Sequence, residues 1–507
     1  MDRSLAFNTL AGYLEDSARK FPDRVAVVDP SGASLTYRQL DDQAARVAAF
    51  LLAHGVAPGD RVGLVLPKSA IGVSIIFGVL KARAAYVPAD WTAPAARICT
   101  ILGDCQVRVA FIDARLNAPL AEGLSGIKPN AVVAVGTPDW DAVLSHAPAV
   151  VDASLRKDDD LTYILYTSGS TGIPKGVILN QHNATSYVDW CTDVFQPGEN
   201  DRFSSHAPFH FDLSILDIYV PLKHGAALYL IGEDLGKSPR DLARFISANR
   251  LSVWYSTPSI LTLLAEFGHL AQFDFEALRL VFFAGEVFPI KHLRKIVSLW
   301  PKPTYYNLYG PTETNVCTYY KVPTPIPEDR VEPFPIGWAC SHCQPLVVDE
   351  VLYIAGPSVF QGYWNRPKET AAVFIERDGV RWYSTGDVIR EDPADGFIYV
   401  GRRDRMVKRR GYRIELDDIE NGLYRNDRLR EVAVVAATEG EAGVKIGAYL
   451  APHDASNRPT IVEMKAFCSK NLPSYMNPDV FHFVEALPRT STNKVDYQSL
   501  LRSFRGG

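Results

Sequence analysis

A run of hydroxyl-bearing residues and glycines directly follows a strand-like segment near residue 165. The apolar pattern of residues 161–166 leads into Thr167, Ser168, Gly169, Ser170, Thr171 and Gly172. Backbone N–H groups and hydroxyls of such a loop can converge on phosphate oxygens, and Lys175 adds positive charge close by. The spacing is not that of the Gly-x4-Gly-Lys-Ser/Thr loop, and a flexible linker would not lie between two apolar segments. The sequence therefore predicts a phosphate-binding loop of a different type.

Strand-like and helix-like segments alternate through the first 400 residues, and they must position this loop. The strand patterns cover residues 61–66, 107–112 and 131–135, and the helix patterns cover residues 40–52 and 240–249. This alternation is typical of βαβ units with parallel strands and covering helices. We therefore predict an α/β fold whose large N-terminal domain, residues 1–400, is built of stacked α/β subdomains. The proline-rich stretch 319–335 is interpreted as a connector.

The character of the chain changes after residue 400. Residues 401–413 contain seven Arg or Lys residues and one Asp. A helix pattern at 416–424 and strand patterns at 431–437 and 444–450 follow. We predict that residues 401–507 form a small α+β domain.

Composition excludes several functional classes. The 507 residues are 47% hydrophobic and 22% charged, as in ordinary globular proteins, and the net charge of −5 argues against a nucleic-acid or anionic-membrane binder. Seven cysteines, an odd number, favour reduced thiols in a cytoplasmic protein. The N-terminus lacks the apolar segment of a signal peptide, and the longest apolar run, 70–80, is too short to span a bilayer. Cys340-x-x-Cys343 lacks a second pair at zinc spacing, so a zinc site is not predicted.

Further motifs stand in a fixed order along the chain. They cover residues 35–41, 80–90, 163–176, 307–314, 383–387, 401–404, 411–413 and 487–494. Together they resemble the adenylate-forming superfamily, which includes acyl- and aryl-CoA ligases, luciferases and nonribosomal-peptide adenylation domains. The resemblance implies that a carboxylate attacks the α-phosphate of ATP to give an acyl-adenylate, and that a thiol then displaces AMP. ATP and Mg²⁺ are the implied cofactors.

The resemblance also assigns roles to residues around the nucleotide. Glu313 is the implied Mg²⁺ ligand, and Thr312 is implied to bond the α-phosphate. Tyr309 should stack on adenine, and Asp387 should accept hydrogen bonds from the ribose hydroxyls. The other implied nucleotide positions are Gly285, Glu286, Asn307, Gly310, Tyr399 and Arg402.

The C-terminal domain is implied to be a mobile lid. Lys494 should bridge the substrate carboxylate and the nucleotide, which suits a compact ammonium group. Asp404 falls at the hinge position of the superfamily, and Gly411 and Arg413 lie on a loop that should reach the site during thiol transfer. Arg403, Arg409 and Arg410 either form a solvated hairpin face or contact an acidic carrier protein.

The residues implied to surround the acyl substrate indicate its chemistry. Asp212, in a Phe-Asp-x-Ser motif, would pair with a substrate ammonium, the alternative being a turn or helix N-cap residue. The other implied wall positions are Leu213, Leu216, Tyr255, Phe282, Ala284, Leu308, Val316 and Cys317. A charged or amide side chain would find no partner among them, so a compact apolar amino acid is predicted.

The wall set is similar to that of stand-alone L-prolyl-AMP ligases, with D-alanine:carrier protein ligases also similar. Proline is the first expectation, followed by alanine or valine, and an acyl- or aryl-CoA ligase is the alternative class. Only 13 residues follow Lys494, so the thiol acceptor is expected to be a separate molecule, a carrier protein rather than coenzyme A. Residues 336–343 depart from the family pattern Ile-Gly-x-Pro-x-x-Asn.

Overall fold

The computed structural model describes residues 8–167, 174–403, 405–438, 443–454, 457–489 and 495–506. The chain divides into two compact units. The larger comprises Met1–Trp91, Ile98–Tyr166 and Gly176–Gly401, and the smaller comprises Thr92–Arg97, Thr167–Lys175 and Arg402–Gly507. Within the described ranges, no helix combines the length and the apolar character needed to cross a membrane.

Helices and strands alternate through most of the larger unit. Its helices are α1 (Leu10–Lys20), α2 (Tyr37–Ala53), α3 (Ala70–Lys81), α4 (Ala95–Asp104), α5 (Asn117–Ile127), α6 (Pro138–Leu144), α7 (Gln181–Phe195), α8 (Leu213–Lys223), α9 (Glu233–Gly236), α10 (Pro239–Ala248), α11 (Pro258–Phe267), α12 (Ile290–Leu299) and α13 (Pro367–Ala372). Local sequence sets their starts. A capping box of Thr36 and Gln39 begins α2, and the Ser69 hydroxyl accepts from the Gly72 amide at the start of α3.

Two largely parallel sheets form the body of this unit. Their strands are β1 (Val25–Val28), β2 (Ser34–Thr36), β3 (Arg61–Val65), β4 (Ala85–Pro88), β5 (Val109–Asp113), β6 (Ala131–Val135), β7 (Leu161–Thr167), β8 (Lys175–Asn180), β9 (Arg202–Ser205), β10 (Ala227–Leu230), β11 (Val253–Ser256), β12 (Leu280–Ala284), β13 (Thr304–Tyr309), β14 (Thr318–Val322), β15 (Trp338–Ala339) and, further along the chain, β18 (Gly362–Tyr363). One sheet has the order β15-β14-β13-β12-β11-β9-β10-β1-β2, and the other has the order β18-β8-β7-β4-β3-β5-β6. The predicted α/β class is confirmed.

The larger unit also contains a third sheet, which is antiparallel and was not predicted from the sequence. Its strands are β16 (Gln344–Val348), β17 (Val351–Ala355), β19 (Phe374–Arg377), β20 (Val380–Asp392) and β21 (Gly396–Arg402). The interpretation of 319–335 as a connector is wrong at its start, because β14 pairs antiparallel with β13. Thr-Tyr-Tyr-Lys-Val favours a strand, and the first proline comes only at Pro323.

The smaller unit is an α+β structure with its own apolar core. It contains β22 (Met406–Arg409), β23 (Tyr412–Glu415), α14 (Leu416–Leu423), β24 (Leu429–Thr438), β25 (Val444–Pro452), α15 (Ile461–Asn471), β26 (Val480–Phe483) and α16 (Tyr497–Gly506). The order of its larger sheet is β24-β25-β26. Ile414, Ile419 and Leu423 pack with Val434 and Leu450 in one of its clusters.

Candidate active site

Neighbouring parallel strands of the nine-stranded sheet supply an apolar wall. Tyr255 of β11 is in register with Phe282 of β12, and their rings meet edge to face with centroids 5.9 Å apart. Ala284 of β12 is in register with Leu308 of β13. Because successive side chains of a strand point to opposite faces of the sheet, these four side chains pack in one core cluster and Trp254 packs in another. The predicted wall residues that share the first cluster are Leu213, Leu216, Tyr255, Phe282, Ala284, Leu308, Val316 and Cys317.

The carboxylate of Asp212 lies close to this wall, and the buried carboxyl group of Asp217 also acts on Tyr255. Asp212 immediately precedes α8, but its side chain makes no capping hydrogen bond to that helix. The alternative interpretation of Asp212 as a helix N-cap residue therefore holds for its position, although its side chain does not cap the helix. Its Oδ2 accepts a hydrogen bond from the Thr312 hydroxyl at 2.8 Å. Burial raises the pKa of Tyr255 well above its ordinary value, and the Asp212 charge acts in the same direction, as expected for a carboxylate close to the wall.

The segment after β13 makes a sharp turn that carries Thr312 and Glu313. A Cβ on Gly310 would lie 1.7 Å from the Asn315 carbonyl oxygen, so only glycine fits there. The Cys317 amide donates to the Tyr309 carbonyl at 2.8 Å and closes the turn. Thr312 and Glu313, which are predicted to contact the phosphates and the metal, therefore lie on a turn between the wall residues Leu308 and Val316.

Glu313 is fully buried and held by a tyrosine. The Tyr363 hydroxyl donates to Glu313 Oε1 at 2.7 Å, and the Phe360 amide donates to the Glu313 carbonyl at 2.8 Å. Sequence reasoning missed Tyr363, because its position depends on the pairing of the two-residue strand β18 with β8. Its aromatic-rich surroundings, Tyr-Trp-Asn-Arg-Pro, were the one available signal.

Tyr309 and Asp387 form a second buried pair. The Tyr309 hydroxyl donates to Asp387 Oδ2, and both side chains are almost completely buried. The Asp387 amide donates to the Thr385 hydroxyl at 3.1 Å. Burial and the Asp387 charge raise the pKa of Tyr309 well above its ordinary value. The structure thus brings together the residues predicted to contact adenine and ribose.

The other predicted nucleotide residues of the larger unit also have defined positions. Glu286 accepts from the amide of Ser259 at 3.1 Å and from its hydroxyl, at the start of α11. Asn307 donates from Nδ2 to the Pro335 carbonyl at 2.9 Å. Gly285 adopts a φ of 91° directly after β12, and Tyr399 lies within β21.

In the smaller unit, a tight turn joins β22 to β23. Arg410 and Gly411 both have positive φ, 52° and 81°, which is the conformation of a type I′ hairpin turn. Arg413 lies on β23 with its guanidinium 3.8 Å from Glu415, and Arg402 ends β21. Thr167 and Lys175 mark the edges of the predicted phosphate loop, at the end of β7 and the start of β8.

The basic segment is less available to a partner than its sequence suggests. Arg409 donates to the carbonyls of Tyr475 and Asn477, at 3.3 and 2.9 Å, and its side chain is only 12% exposed. The expectation that Arg409 lies on a solvated or carrier-binding face is therefore wrong, because its guanidinium is held by these backbone carbonyls and by an ion pair with Asp479. Arg403 and Arg410 are exposed.

Several predicted residues fall outside the described part of the chain. They are Ser168, Gly169, Ser170, Thr171, Gly172, Asp404 and Lys494. Among the described residues, no group of three or more His, Cys, Asp or Glu side chains could hold a metal ion.

The fold and these motifs define a class. A family model described as "AMP-binding enzyme" matches residues 14–364, and one described as "AMP-binding enzyme C-terminal domain" matches residues 418–494. The chain belongs to this family of AMP-binding enzymes. The resemblance noted from the motifs is thereby confirmed.

The chain is also similar to individual proteins with known names. The chain is 37% identical over 504 residues to the L-proline--[L-prolyl-carrier protein] ligase of Pseudomonas fluorescens, covering 97% of this chain and 98% of that protein. It is 31% identical to the D-alanine--D-alanyl carrier protein ligase of Staphylococcus epidermidis, covering 98% and 99% of the two chains. The solved Vibrio cholerae adenylation domain AlmE, in complex with glycyl-adenosine-5'-phosphate, has the same fold, with a TM-score of 0.83, 24% identity and 98% coverage of both chains.

Proposed function

We propose that this protein uses ATP to activate a small apolar amino acid, L-proline first, and transfers it to the phosphopantetheine thiol of a separate carrier protein. The observation that carries the proposal is the carboxylate of Asp212, which accepts from Thr312 close to eight wall residues of one apolar cluster. An ammonium group needs a partner when it leaves water, whereas the side chain of proline needs only apolar contacts. The ligase of Pseudomonas fluorescens, named for L-proline and a carrier protein, supports the same assignment.

Positioning and charge neutralisation account for the proposed chemistry. The substrate carboxylate attacks the α-phosphorus of ATP, and the bond from that phosphorus to pyrophosphate breaks. The phosphopantetheine sulfur then attacks the acyl carbon. The bond between this carbon and the bridging phosphate oxygen breaks, and AMP leaves with that oxygen. Both steps bring anions together, so residues that orient and neutralise them dominate the rate.

Residues of the larger unit are proposed to hold the nucleotide end. Asp387 would accept from the ribose hydroxyls, while Tyr309, already bonded to Asp387, would lie against adenine. Thr312 would donate to the α-phosphate from the turn that Gly310 makes possible. Lys494 and the loop 167–172 are proposed to contact the substrate carboxylate and the phosphates, in keeping with the resemblance of their motifs.

Glu313 fits the requirements of a magnesium ligand. Mg²⁺ is usually held by one or two carboxylates together with substrate phosphates. The carboxylate of Glu313 is oriented by the Tyr363 hydroxyl, as outer partners orient metal ligands. Mg²⁺ bound there would neutralise charge on the triphosphate.

Residues 401–507 are proposed to act as a mobile lid. Asp404 would be its hinge, and Gly411 and Arg413 would serve the thiol-transfer step. The type I′ turn at Arg410 and Gly411 supports a defined loop conformation for that role.

D-Alanine is the second candidate substrate. The relative named for D-alanine matches nearly the whole chain, and an alanine side chain would also satisfy the apolar wall. An acyl- or aryl-CoA ligase is disfavoured by Asp212, since a plain acid offers no ammonium to its carboxylate.

The experiment is ATP–pyrophosphate exchange with the twenty amino acids, D-alanine, acetate and benzoate. Proline should give the highest exchange; a higher value with D-alanine would favour the second candidate, and comparable exchange with acetate or benzoate would overturn both. Loading of radiolabelled proline is then compared between a phosphopantetheinylated carrier protein and free coenzyme A. Preferential loading of coenzyme A would refute the proposed acceptor.

A further inference from the structure

A half-buried lysine contacts the loop that carries Asp212. Lys68 lies between β3 and α3, and its Nζ donates to the carbonyls of Ser205 and His206, at 2.6 and 2.8 Å. Ser205 is the last residue of β9, and the loop that follows it leads to Asp212. Because β3 and β9 belong to different sheets, Lys68 fastens the start of this loop to the neighbouring sheet.

The middle of the loop from Ser205 to Asp212 packs against the first turn of α3, close to Lys68. Phe209 is buried against Gly72 in the first turn of α3, where a Cβ would lie 2.7 Å from Phe209 Cε2. The end of the loop is fixed by the Ser214 hydroxyl, which donates to the Phe211 carbonyl at 2.5 Å. Residues 68–72 therefore hold the first half of a loop whose second half presents Asp212 to Thr312.

Other titratable side chains lie close to Lys68. Asp217 of α8 is completely buried, and burial raises the pKa of its carboxyl group well above the ordinary value. Burial lowers the pKa of Lys68 to about 7, while Asp217 and Glu233 act to raise it. Burial and the nearby Lys68 charge lower the pKa of His206 to about 3, so this imidazole does not compete as a cation. Lys68 is thus the side chain that donates to the two carbonyls, through its Nζ.

We propose that Lys68 is a positioning residue for the amino-acid site. It fixes the loop from Ser205 to Asp212 and so sets the affinity for the ammonium group of the substrate. The inference rests on the proposed contact between Asp212 and that ammonium. A displacement of a contact by about 1 Å can cost about a hundredfold in rate, so a loop anchor can act on binding without touching the substrate.

Lys68→Met tests this role, because methionine keeps the length and apolar stem of lysine but cannot donate. We expect KM for proline to rise by about ten- to a hundredfold, as for loss of a hydrogen bond involving a charged group, while KM for ATP changes by less than about threefold. Lys68→Arg, which keeps the charge and the donors, should restore much of the affinity. Gly72→Ala should raise KM for proline by the independent route of displacing Phe209.

Lys81→Met is the matched control. Lys81 ends the same helix, is 8% exposed and pairs with Glu15 and Asp41 at 2.7 and 2.9 Å. Its loss should lower Tm without raising KM for proline. Tetrahydrofuran-2-carboxylate, which is proline with oxygen in place of the ring nitrogen, reports on the rest of the site; its inhibition constant should be unchanged by Lys68→Met.

Wild-type exchange with proline is measured first. If the wild type supports no amino-acid-dependent exchange, the proposed function fails and the inference fails with it. If the wild type is active but Lys68→Met leaves KM for proline unchanged, only the positioning role is refuted. Equal weakening of proline and of the amine-free analogue would also refute it, since the effect would then not act through the ammonium contact.

Discussion

Asp212→Asn is the sharpest perturbation of the proposed amino-acid site. Asparagine has nearly the same shape and retains an oxygen that can accept from the Thr312 hydroxyl, now bonded at 2.8 Å. Because the Asp212 side chain makes no capping bond to α8, the substitution leaves the start of that helix intact. The change therefore removes a charge and little else.

The size of the effect follows from the contact that is lost. A hydrogen bond that involves a charged group contributes about 1.5–3 kcal/mol. At about 1.4 kcal/mol per factor of ten, kcat/KM for proline should fall by about 12- to 140-fold. The loss should appear mainly in KM if the ammonium is bound equally in the ground and transition states.

Pyrophosphate exchange at varied proline concentration measures this effect. Asp241→Asn is the matched control, since Asp241 pairs with Arg244 at 3.0 Å on an exposed surface where ion pairs contribute little. Tetrahydrofuran-2-carboxylate should inhibit Asp212→Asn at least as well as it inhibits the wild type. A variant with kcat/KM within about twofold of wild type, or one that weakens the amine-free analogue as much as proline, would refute the ammonium contact.

Three further substitutions test the rest of the site. Tyr363→Phe removes the hydroxyl that orients Glu313 and should raise about tenfold the Mg²⁺ concentration needed for half-maximal exchange. An unchanged Mg²⁺ titration would argue against Glu313 as the ligand. Gly310→Ala places a Cβ 1.7 Å from a backbone oxygen and should destabilise the fold by more than about 3 kcal/mol in thermal unfolding. Gly126→Ala is the control, because its Cβ would meet nothing within 4 Å and should not destabilise the fold. Equal Tm values for the two variants would contradict the geometry. Lys494→Ala should abolish adenylation yet spare transfer from supplied prolyl-AMP, and an equal loss of both half-reactions would contradict the proposed lid movement.

Local sequence was sufficient to predict the helices and strands whose apolar pattern is clear. The pattern at 61–66 became β3 at Arg61–Val65, and the pattern at 416–424 became α14 at Leu416–Leu423. Periodicity reports which face of a segment is apolar, and this information is local. The strand at Thr318–Val322 was missed because the prolines after it dominated the interpretation of the whole stretch.

Contacts between distant segments could not be predicted in the same way. The hydrogen bond from Tyr363 to Glu313 joins residues 50 positions apart, and that from Thr312 to Asp212 joins residues 100 positions apart. Arg409 looked available for a partner because its sequence neighbours are basic. Only the fold reveals that carbonyls 66 and 68 residues further along receive its guanidinium.

The bond between Thr312 and Asp212 gives the site a property that neither residue has alone. A threonine hydroxyl donates one proton, so it cannot donate to the Asp212 carboxylate and to a phosphate oxygen at the same time. In the proposed site, a substrate ammonium paired with Asp212 would weaken the hold of the carboxylate on the hydroxyl, which would then be available to the α-phosphate. Since Thr312 directly precedes Glu313 in a turn that admits no side chain at Gly310, the released hydroxyl stays beside the carboxylate proposed to hold the metal. With the proposed roles of Asp212 and Thr312, occupation of the amino-acid site and preparation of the nucleotide site would therefore be coupled through one hydrogen bond.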